Sequence, residues 1–224
     1  MQDATIEYVY GDINGQVDDI KYMMSNVIIC PHNRNVKMIN DKVVDMMEAT
    51  KYRSYSSDTS TDECLELSQE VLNTFEVPGL PTHELCIKEK MPINLMTNLS
   101  KKRKLCNGTR LIVQKLTGSL LYAMNPITKE EVILPRFELE SDVKKFGISF
   151  KRRQFPVAPA FTITANKAQG QTIPGKVAIY LWDDCFSHGQ LYVASSRATH
   201  PDHLRYYIKN NVVGTRNVVL QQVL

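Results

Sequence analysis

Two stretches decide the fold: residues 161–172, FTITANKAQGQT, and residues 187–198, SHGQLYVASSRA. The first opens apolar and β-branched, then turns polar and reaches Gly170, the pattern of a strand running into a turn. The second places Leu191, Tyr192, Ala194 and Ala198 at helical spacing, with Arg197 at the end. A strand end bearing Thr164, Asn166, Lys167 and Gln169 sets polar groups where open α/β sheets hold ligands. Each stretch alone also has a plainer reading. One is a polar turn on the surface; the other is an arginine favoured by the negative end of a helix dipole.

Working outward, Val177–Leu181 and Arg205–Ile208 read as further strands, and Val157–Thr164 as one strand leading into the first stretch. Upstream, VIIC at 27–30 is a short buried strand ended by Pro31. Val36, Ile39, Val43, Val44 and Met47 then recur at helical spacing, with Asn33 or Asn35 available as N-cap. Between these parts the character changes. Residues 51–63, KYRSYSSDTSTDE, read as an exposed loop, and Pro78, Gly79 and Pro81 mark a break. From about 92 to 137 come short strands at 93–96, 110–116, 120–124 and 131–134. They are separated by Asn107-Gly108, Thr117-Gly118 and Asn125-Pro126. The expectation is an α/β domain with a small antiparallel β-barrel inserted. Residues 1–83 (with an acidic loop at 51–80) and 151–224 form the α/β part, and residues 84–150 the barrel.

The charge is segregated. The chain has 224 residues and a net charge of +3, but residues 54–87 carry no Lys or Arg and seven acids. Residues 88–153 carry 15 basic and 6 acidic groups, a net of +9. A concentrated positive region fits a polyanionic partner, because neutralising phosphates releases counterions. The five cysteines are spread out, the closest two being Cys86 and Cys106, so no zinc ribbon or CxxC site is expected. His200 and His203 form an isolated HxxH pair, and no metal site is expected. No apolar run approaches the roughly 20 residues that span a bilayer, and the first residues lack a signal-type apolar core. An intracellular protein with no membrane partner is the expectation, nuclear or mitochondrial if eukaryotic.

One near-match invites an ATP site. Residues 170–177, GQTIPGKV, approach the phosphate loop GxxxxGK[ST], and 177–184, VAIYLWDD, approach a metal-holding strand. Val177 has no hydroxyl for a metal, and Lys176 runs into a strand-like segment where a helix N-terminus should face the phosphates. Asp183 and Asp184 read instead as loop residues at a strand end.

Taken in this order, the two opening stretches resemble motifs V and VI of superfamily-1 DNA helicases of the Pif (petite integration frequency) family. That family includes the helicase part of Helitron transposons. Its segments look like T-I-N-K-S-Q-G-Q-T and H-G-Q-x-Y-V-A-L-S-R. Residues 28–40 (IICPHNRNVKMIN), 79–85 (GLPTHEL), 92–113 (PINLMTNLSKKRKLCNGTRLIV) and 152–157 (RRQFPV) also fit, in collinear order. The resemblance implies a second RecA-like domain, a P-loop NTPase fold without the P-loop, carrying an inserted SH3-like 2B barrel. It also implies Arg197 as an arginine finger acting on the transferred phosphoryl group. Gln169, Gly170 and Gln190 would lie at the nucleotide. Thr164, Asn166 and Lys167 would face single-stranded DNA, and Lys101, Lys102, Arg103, Lys104 and Arg110 would extend the basic track.

ATP and Mg²⁺ are expected only when an N-terminal ATP-binding RecA-like domain is joined in cis, since no complete GxxxxGK[ST] occurs. A monomeric, ATPase-incompetent C-terminal part of a 5′–3′ helicase is thus the expectation. The alternatives are a free-standing single-strand-binding module and an inactive transposon remnant. Repair, recombination, telomere maintenance and transposition all remain open as roles. Three departures from the family pattern stand out: Ala168 for Ser, Ser195 for Leu, and Pro159 and Ala165 at apolar strand positions.

Overall fold

Val27–Cys30 is an unbroken apolar run, as a strand covered on both faces must be. In the computed structural model, which describes residues 1–61, 67–141, 149–209, 214–215 and 217–219, it is the inner strand β1 of a parallel sheet. The chain divides into two compact units, Met1–Glu48 with Ala160–Leu224, and Ala49–Pro159.

The first unit is built on four strands. In chain order these are β1 and those that will be β12 (Thr162–Thr164), β13 (Val177–Leu181) and β14 (Leu204–Ile208). Their order across the sheet is β12-β1-β13-β14, and every pair is parallel. Helices α1 (Gln2–Tyr10) and α3 (Asn33–Met46) pack on the sheet, and the shorter α2 (Ile20–Ser25) leads into β1. Alternate side chains of the strands, Val27, Ile29, Ile163, Val177, Ile179 and Leu181, join Ala165, Ala168 and Ala194 in a continuous apolar core. These last three lie on two short helices, α5 (Ala165–Ala168) and α6 (Gln190–Ser195).

Helix α3 buries Asn35, Ile39, Asn40, Val43 and Val44, a single stripe at helical spacing. The two asparagines carry polar work into that stripe. Asn40 Nδ2 donates to Thr162 O (3.1 Å), while Asn40 Oδ1 accepts from Thr162 N (2.8 Å). The outer side of β12 thus receives both main-chain bonds that a further strand would have given. Neither Asn33 nor Asn35 caps the helix: His32 holds the N-cap position and Asn33 is already helical. Asn35 is instead recruited by a carboxylate described below.

The second unit is antiparallel throughout. Its main sheet has the order β11-β5-β6-β7-β8, formed by Val157–Pro159, Pro92–Leu95, Arg110–Thr117, Leu120–Met124 and Glu131–Pro135. Two smaller sheets pair β2 (Lys51–Tyr55) with β4 (Glu84–Lys88), and β3 (Ser57–Ser60) with β10 (Phe150–Gln154) and β9 (Phe137–Glu140). Pro159 is tolerated because β11 is an edge strand. The run 157–164, expected as one strand, is therefore two. Its first part pairs with β5 and its second with β1, with Ala160 and Phe161 at the break.

The insert is also wider than the expected 84–150. Residues 51–60, expected as an exposed loop, are strands β2 and β3; positions 62 and 63 of that stretch lie outside the described residues. The cause is a buried charge. Arg152 on β10 is 1% exposed and Asp58 on β3 is 5% exposed. Arg152 Nε lies 3.0 Å from both carboxylate oxygens of Asp58, and its NH2 lies 2.6 Å from one of them. The remaining donors go to the carbonyls of Leu72, Phe75 and Pro81, at 3.0 to 3.1 Å. Helix α4 (Gln69–Thr74) and the Pro-rich turn after it are thus fastened to the sheet by one guanidinium. Beside it, Gln154 Nε2 donates to Ser54 O and His83 O, and Gln154 Oε1 accepts from Ser54 Oγ and Phe155 N. A polar, acidic sequence looked like loop because its partner cation lies some ninety residues away.

Breaking a buried pair leaves an uncompensated charge, at a cost of about 3–5 kcal/mol. Asp58→Ala is expected to lose about that much in urea unfolding at neutral pH. A change under about 1 kcal/mol would show that the pair contributes little beyond a surface ion pair.

Candidate functional site

At the end of β12 the chain turns at once into α5. Thr164 is the N-cap, its Oγ1 accepting from Lys167 N at 3.4 Å, and the residue is 9% exposed. Its hydroxyl is committed to the cap, so the expectation that Thr164 faces a ligand is met only by its position. Ala165 and Ala168 point into the core, at 2% and 0% exposure. A serine at 168 would bury its hydroxyl, and alanine suits the place better. The opposite side of this turn is polar: Asn166, Lys167 and Gln169 are exposed. Crowding by neighbouring atoms nonetheless holds the Lys167 ammonium below the usual lysine pKa, because desolvation disfavours the charged form.

Gly170 follows in the left-handed region, φ +77°, and open space lies where its Cβ would be. That conformation favours glycine and leaves the backbone approachable. Gln171 then closes the turn, its N donating to Ala168 O and its Nε2 to Lys167 O.

Arg197 stands just beyond α6 and reaches this turn. Its NH1 donates to Gln171 O at 3.0 Å, Nε to Val193 O at 2.9 Å, and NH2 to Ser196 Oγ at 2.8 Å. The other two N–H groups of its five have no protein acceptor among the described residues, and the side chain is half-buried. Backbone bonds reinforce the contact: Ile173 N donates to Arg197 O (2.9 Å), and Ile173 bridges Ala198 in parallel. The two stretches on which the sequence reading turned are therefore one surface. Ser195 also has a positive role. Its Oγ donates to Leu191 O and accepts from Tyr206 OH, both at 2.8 Å, linking α6 to β14.

Gln190 is brought to the same helix but points inward, at 3% exposure. Its Nε2 donates to Pro31 O (3.3 Å) and its Oε1 accepts from Phe186 N (3.1 Å), so its amide fastens the turn after β1 to the loop after β13. The basic residues Lys101, Lys102, Arg103 and Lys104 form an exposed turn, and Arg110 begins β6 half-buried; all five belong to the second unit. Arg103 is tied to Glu131 O and Glu130. Lys101, Lys102 and Lys104 have no carboxylate partner among the described residues.

A knot that the sequence reading missed pins the ends of β1 and β13. Asp183 accepts from Arg34 Nε (3.1 Å) and Asn35 Nδ2 (2.9 Å), and Arg34 NH2 approaches its other oxygen at 2.6 Å. Arg34 first, then Asn35, holds the Asp183 carboxyl below the ordinary aspartate range despite partial burial. His32 Nε2 meets Asp184 O at 3.2 Å. The signal lay in the pairing of N-R-N after one apolar strand with D-D after another, which had been read separately as a cap and a loop.

The near-match to a phosphate loop has a packing role. Lys176 enters β13 directly, its N donating to Asn26 Oδ1, and Gly175 N donates to Ser25 O. A Cβ on Gly175 would stand 2.5 Å from Asn26 Oδ1 and 2.8 Å from Ser25 O. No group of three or more His, Cys, Asp or Glu able to hold a metal occurs among the described residues. The α5–α6 surface has donors suited to phosphoryl oxygens; the Mg²⁺ ligands of a nucleotide site are not among them.

A four-stranded parallel sheet with a small antiparallel insert is consistent with a RecA-like domain carrying an inserted β domain. Comparison with known proteins is consistent with it. The family model for the 2B domain of DNA helicase Pif1 matches residues 70–116. The ATP-dependent DNA helicase PIF1 of Xenopus laevis is 28% identical over 181 residues, covering 79% of this chain and 26% of the relative. That of Campylobacter jejuni is 43% identical over 72 residues, covering 31% of this chain and 16% of the relative. Pif1 from Bacteroides in complex with ADP-AlF3 and single-stranded DNA superposes with a TM-score of 0.64 at 18% identity, covering 98% of this chain and 49% of that one. The chain is thus similar to Pif1-type helicases, over residues 70–116 in the 2B-domain model and over most of its length in the Xenopus and Candida albicans relatives. It spans about a sixth to a quarter of the length of these curated relatives.

Two measurements check the local geometry. By carboxyl NMR, Asp183 is expected to titrate below the roughly 3.9 of a free aspartate, and Arg34→Ala to move the midpoint up towards it. Its stabilisation is full above the unfolded pKa and is lost as pH falls through the folded one; at this exposure it amounts to less than about 1 kcal/mol. Gly175→Ala is expected to destabilise by about 1–3 kcal/mol in chemical unfolding, since backbone must move to admit the methyl group.

Proposed function

We propose that the chain is the second motor domain, with its 2B insert, of an ATP-dependent DNA helicase of the Pif type. It works with a domain that carries the phosphate loop. Arg197 supplies positive charge to the transferred phosphoryl oxygens, and Gly170 lets the backbone come close to the nucleotide. Asn166 and Lys167 bind the phosphates of a single strand, and the turn at Lys101–Lys104 in the insert supplies further phosphate contacts. Bound nucleotide with Mg²⁺ would supply the reacting phosphoryl group; the chain's own residues hold and neutralise. Opening and closing against the phosphate-loop domain would couple turnover to stepping.

The reading rests on one observation: the Arg197 guanidinium lies 3.0 Å from Gln171 O, against the Gln169–Gly170 turn, with two N–H groups that have no protein acceptor among the described residues. Further support comes from similar solved structures described as Pif1 bound to single-stranded DNA, which share the fold. Lys101, Lys102 and Lys104, exposed and without carboxylate partners among the described residues, favour a second reading, a single-strand-binding module without a motor role. Under that reading the chain would bind oligonucleotides with steep salt dependence but never complete an ATPase.

The test joins the chain to a Pif-type ATP-binding domain and compares Arg197→Ala with the parent in DNA-stimulated ATP turnover. Loss of an arginine finger costs ~10³-fold or more. A loss of only a few-fold, with nucleotide still bound, overturns the role given to Arg197 and leaves the binding module as the better description.

A further inference from the structure

Tyr8, on the exposed side of α1, carries two cations. Arg205 Cζ stands 4.1 Å from the Tyr8 ring centroid and Lys176 Nζ 5.3 Å from it. Those distances bound the separation of the two charges at 9.4 Å, within about one Debye length at 0.1 M salt. Both side chains are exposed, and among the described residues neither makes an ion pair or a side-chain hydrogen bond. Tyr207 lies beside Tyr8, with ring centroids 6.4 Å apart. His203 is close along the chain, its Nδ1 at 3.2 Å from Pro174 O. One acid is close along the chain: Asp202, whose N donates to His200 Nδ1 and whose carbonyl accepts from Tyr8 OH, keeps an exposed carboxylate.

Like charges brought this close repel unless an anion lies between them. The ring contact restrains the exposed Arg205 side chain, and a guanidinium fork can receive a phosphate in bidentate fashion. Arg205 and Tyr207 alternate with Leu204 and Ile208, which pack on the α5–α6 core. The cluster therefore lies on the α1 face of the sheet, away from Arg197 and the Gly170 turn.

We infer that Lys176, Arg205 and Tyr8 form a second nucleic-acid contact, binding the phosphodiester backbone on the α1 face. The inference rests on the reading of the chain as part of a nucleic-acid motor. It adds a contact distinct from the α5–α6 surface. The stacked tyrosine preorganises the two cations, so binding costs little side-chain entropy.

The experiment measures binding of labelled single-stranded and duplex oligonucleotides of equal length to the whole chain by anisotropy, as a function of salt. Each lost phosphate contact flattens the slope of log K against log salt by about 0.7 for single strands and 0.9 for duplex. Lys176→Gln/Arg205→Gln is expected to flatten it by about 1.4 or 1.8, and the arm that responds identifies the form of nucleic acid. Lys21→Gln/Lys37→Gln removes the same charge elsewhere in this unit and should leave the slope near that of the parent. The inference is overturned if neither arm flattens, or if the control pair flattens it equally. Circular dichroism of each variant confirms the fold, and Tyr8→Leu, which keeps both charges, should weaken binding several-fold without changing the slope. No ATP turnover enters the measurement, so it can fail while Arg197 passes its own test, and the reverse.

Discussion

A guanidinium placed inside a protein must have every donor answered, and Arg152 has five. That demand shapes the part of the second unit around β3, β10 and α4. Asp58 must come to it, so the strand carrying Asp58 cannot stay in solvent. Three carbonyls must come to it, so α4 and the Pro-rich turn are folded down over the same point. Gln154 repeats the arrangement one step along β10, taking the carbonyls of Ser54 and His83. Short strands of four or five residues have little apolar surface to hold them. Here a polar core supplies the specificity that a larger hydrophobic one gives elsewhere.

The parallel unit solves a different problem. Its inner strands β1 and β13 are apolar on both faces, and much of the polar work falls at the strand ends. There α5 and α6 each turn one side to the core through alanines and leave the other side polar. Arg197 is positioned less by its own helix than by the exchange of main-chain bonds between Ile173 and the end of α6. The same economy appears at the ends of β1 and β13, where Asp183 gathers Arg34 and Asn35.

The parts of this that could be read from the amino-acid order were those written in local periodicity. Strand β1, helix α3, the hairpin strands β6 and β7, and the paired stretches around Gly170 and Arg197 all declare themselves within a dozen residues. The parts that could not be read depend on partners far apart. Asp58 and Arg152 are 94 positions apart, and without the second the first looks like a solvated loop acid. Asn35 looked like a helix cap because its true partner, Asp183, is 148 positions away. Pro159 was recognised as awkward for a buried strand. What the alternation of residues could not show was that the chain leaves one sheet and joins another two residues later. Gln190 was expected at the nucleotide from the family resemblance alone, and nothing in the local sequence shows whether its amide points out or in.

Asn40 has a consequence for how folded copies of the chain meet one another. By occupying both main-chain groups of Thr162, it closes one border of the parallel sheet with a side chain rather than another piece of backbone. An edge so occupied at Thr162 is a poorer template for a neighbouring molecule. Among the described residues the opposite edge is β14, where Arg205 on each copy would oppose pairing of like edges.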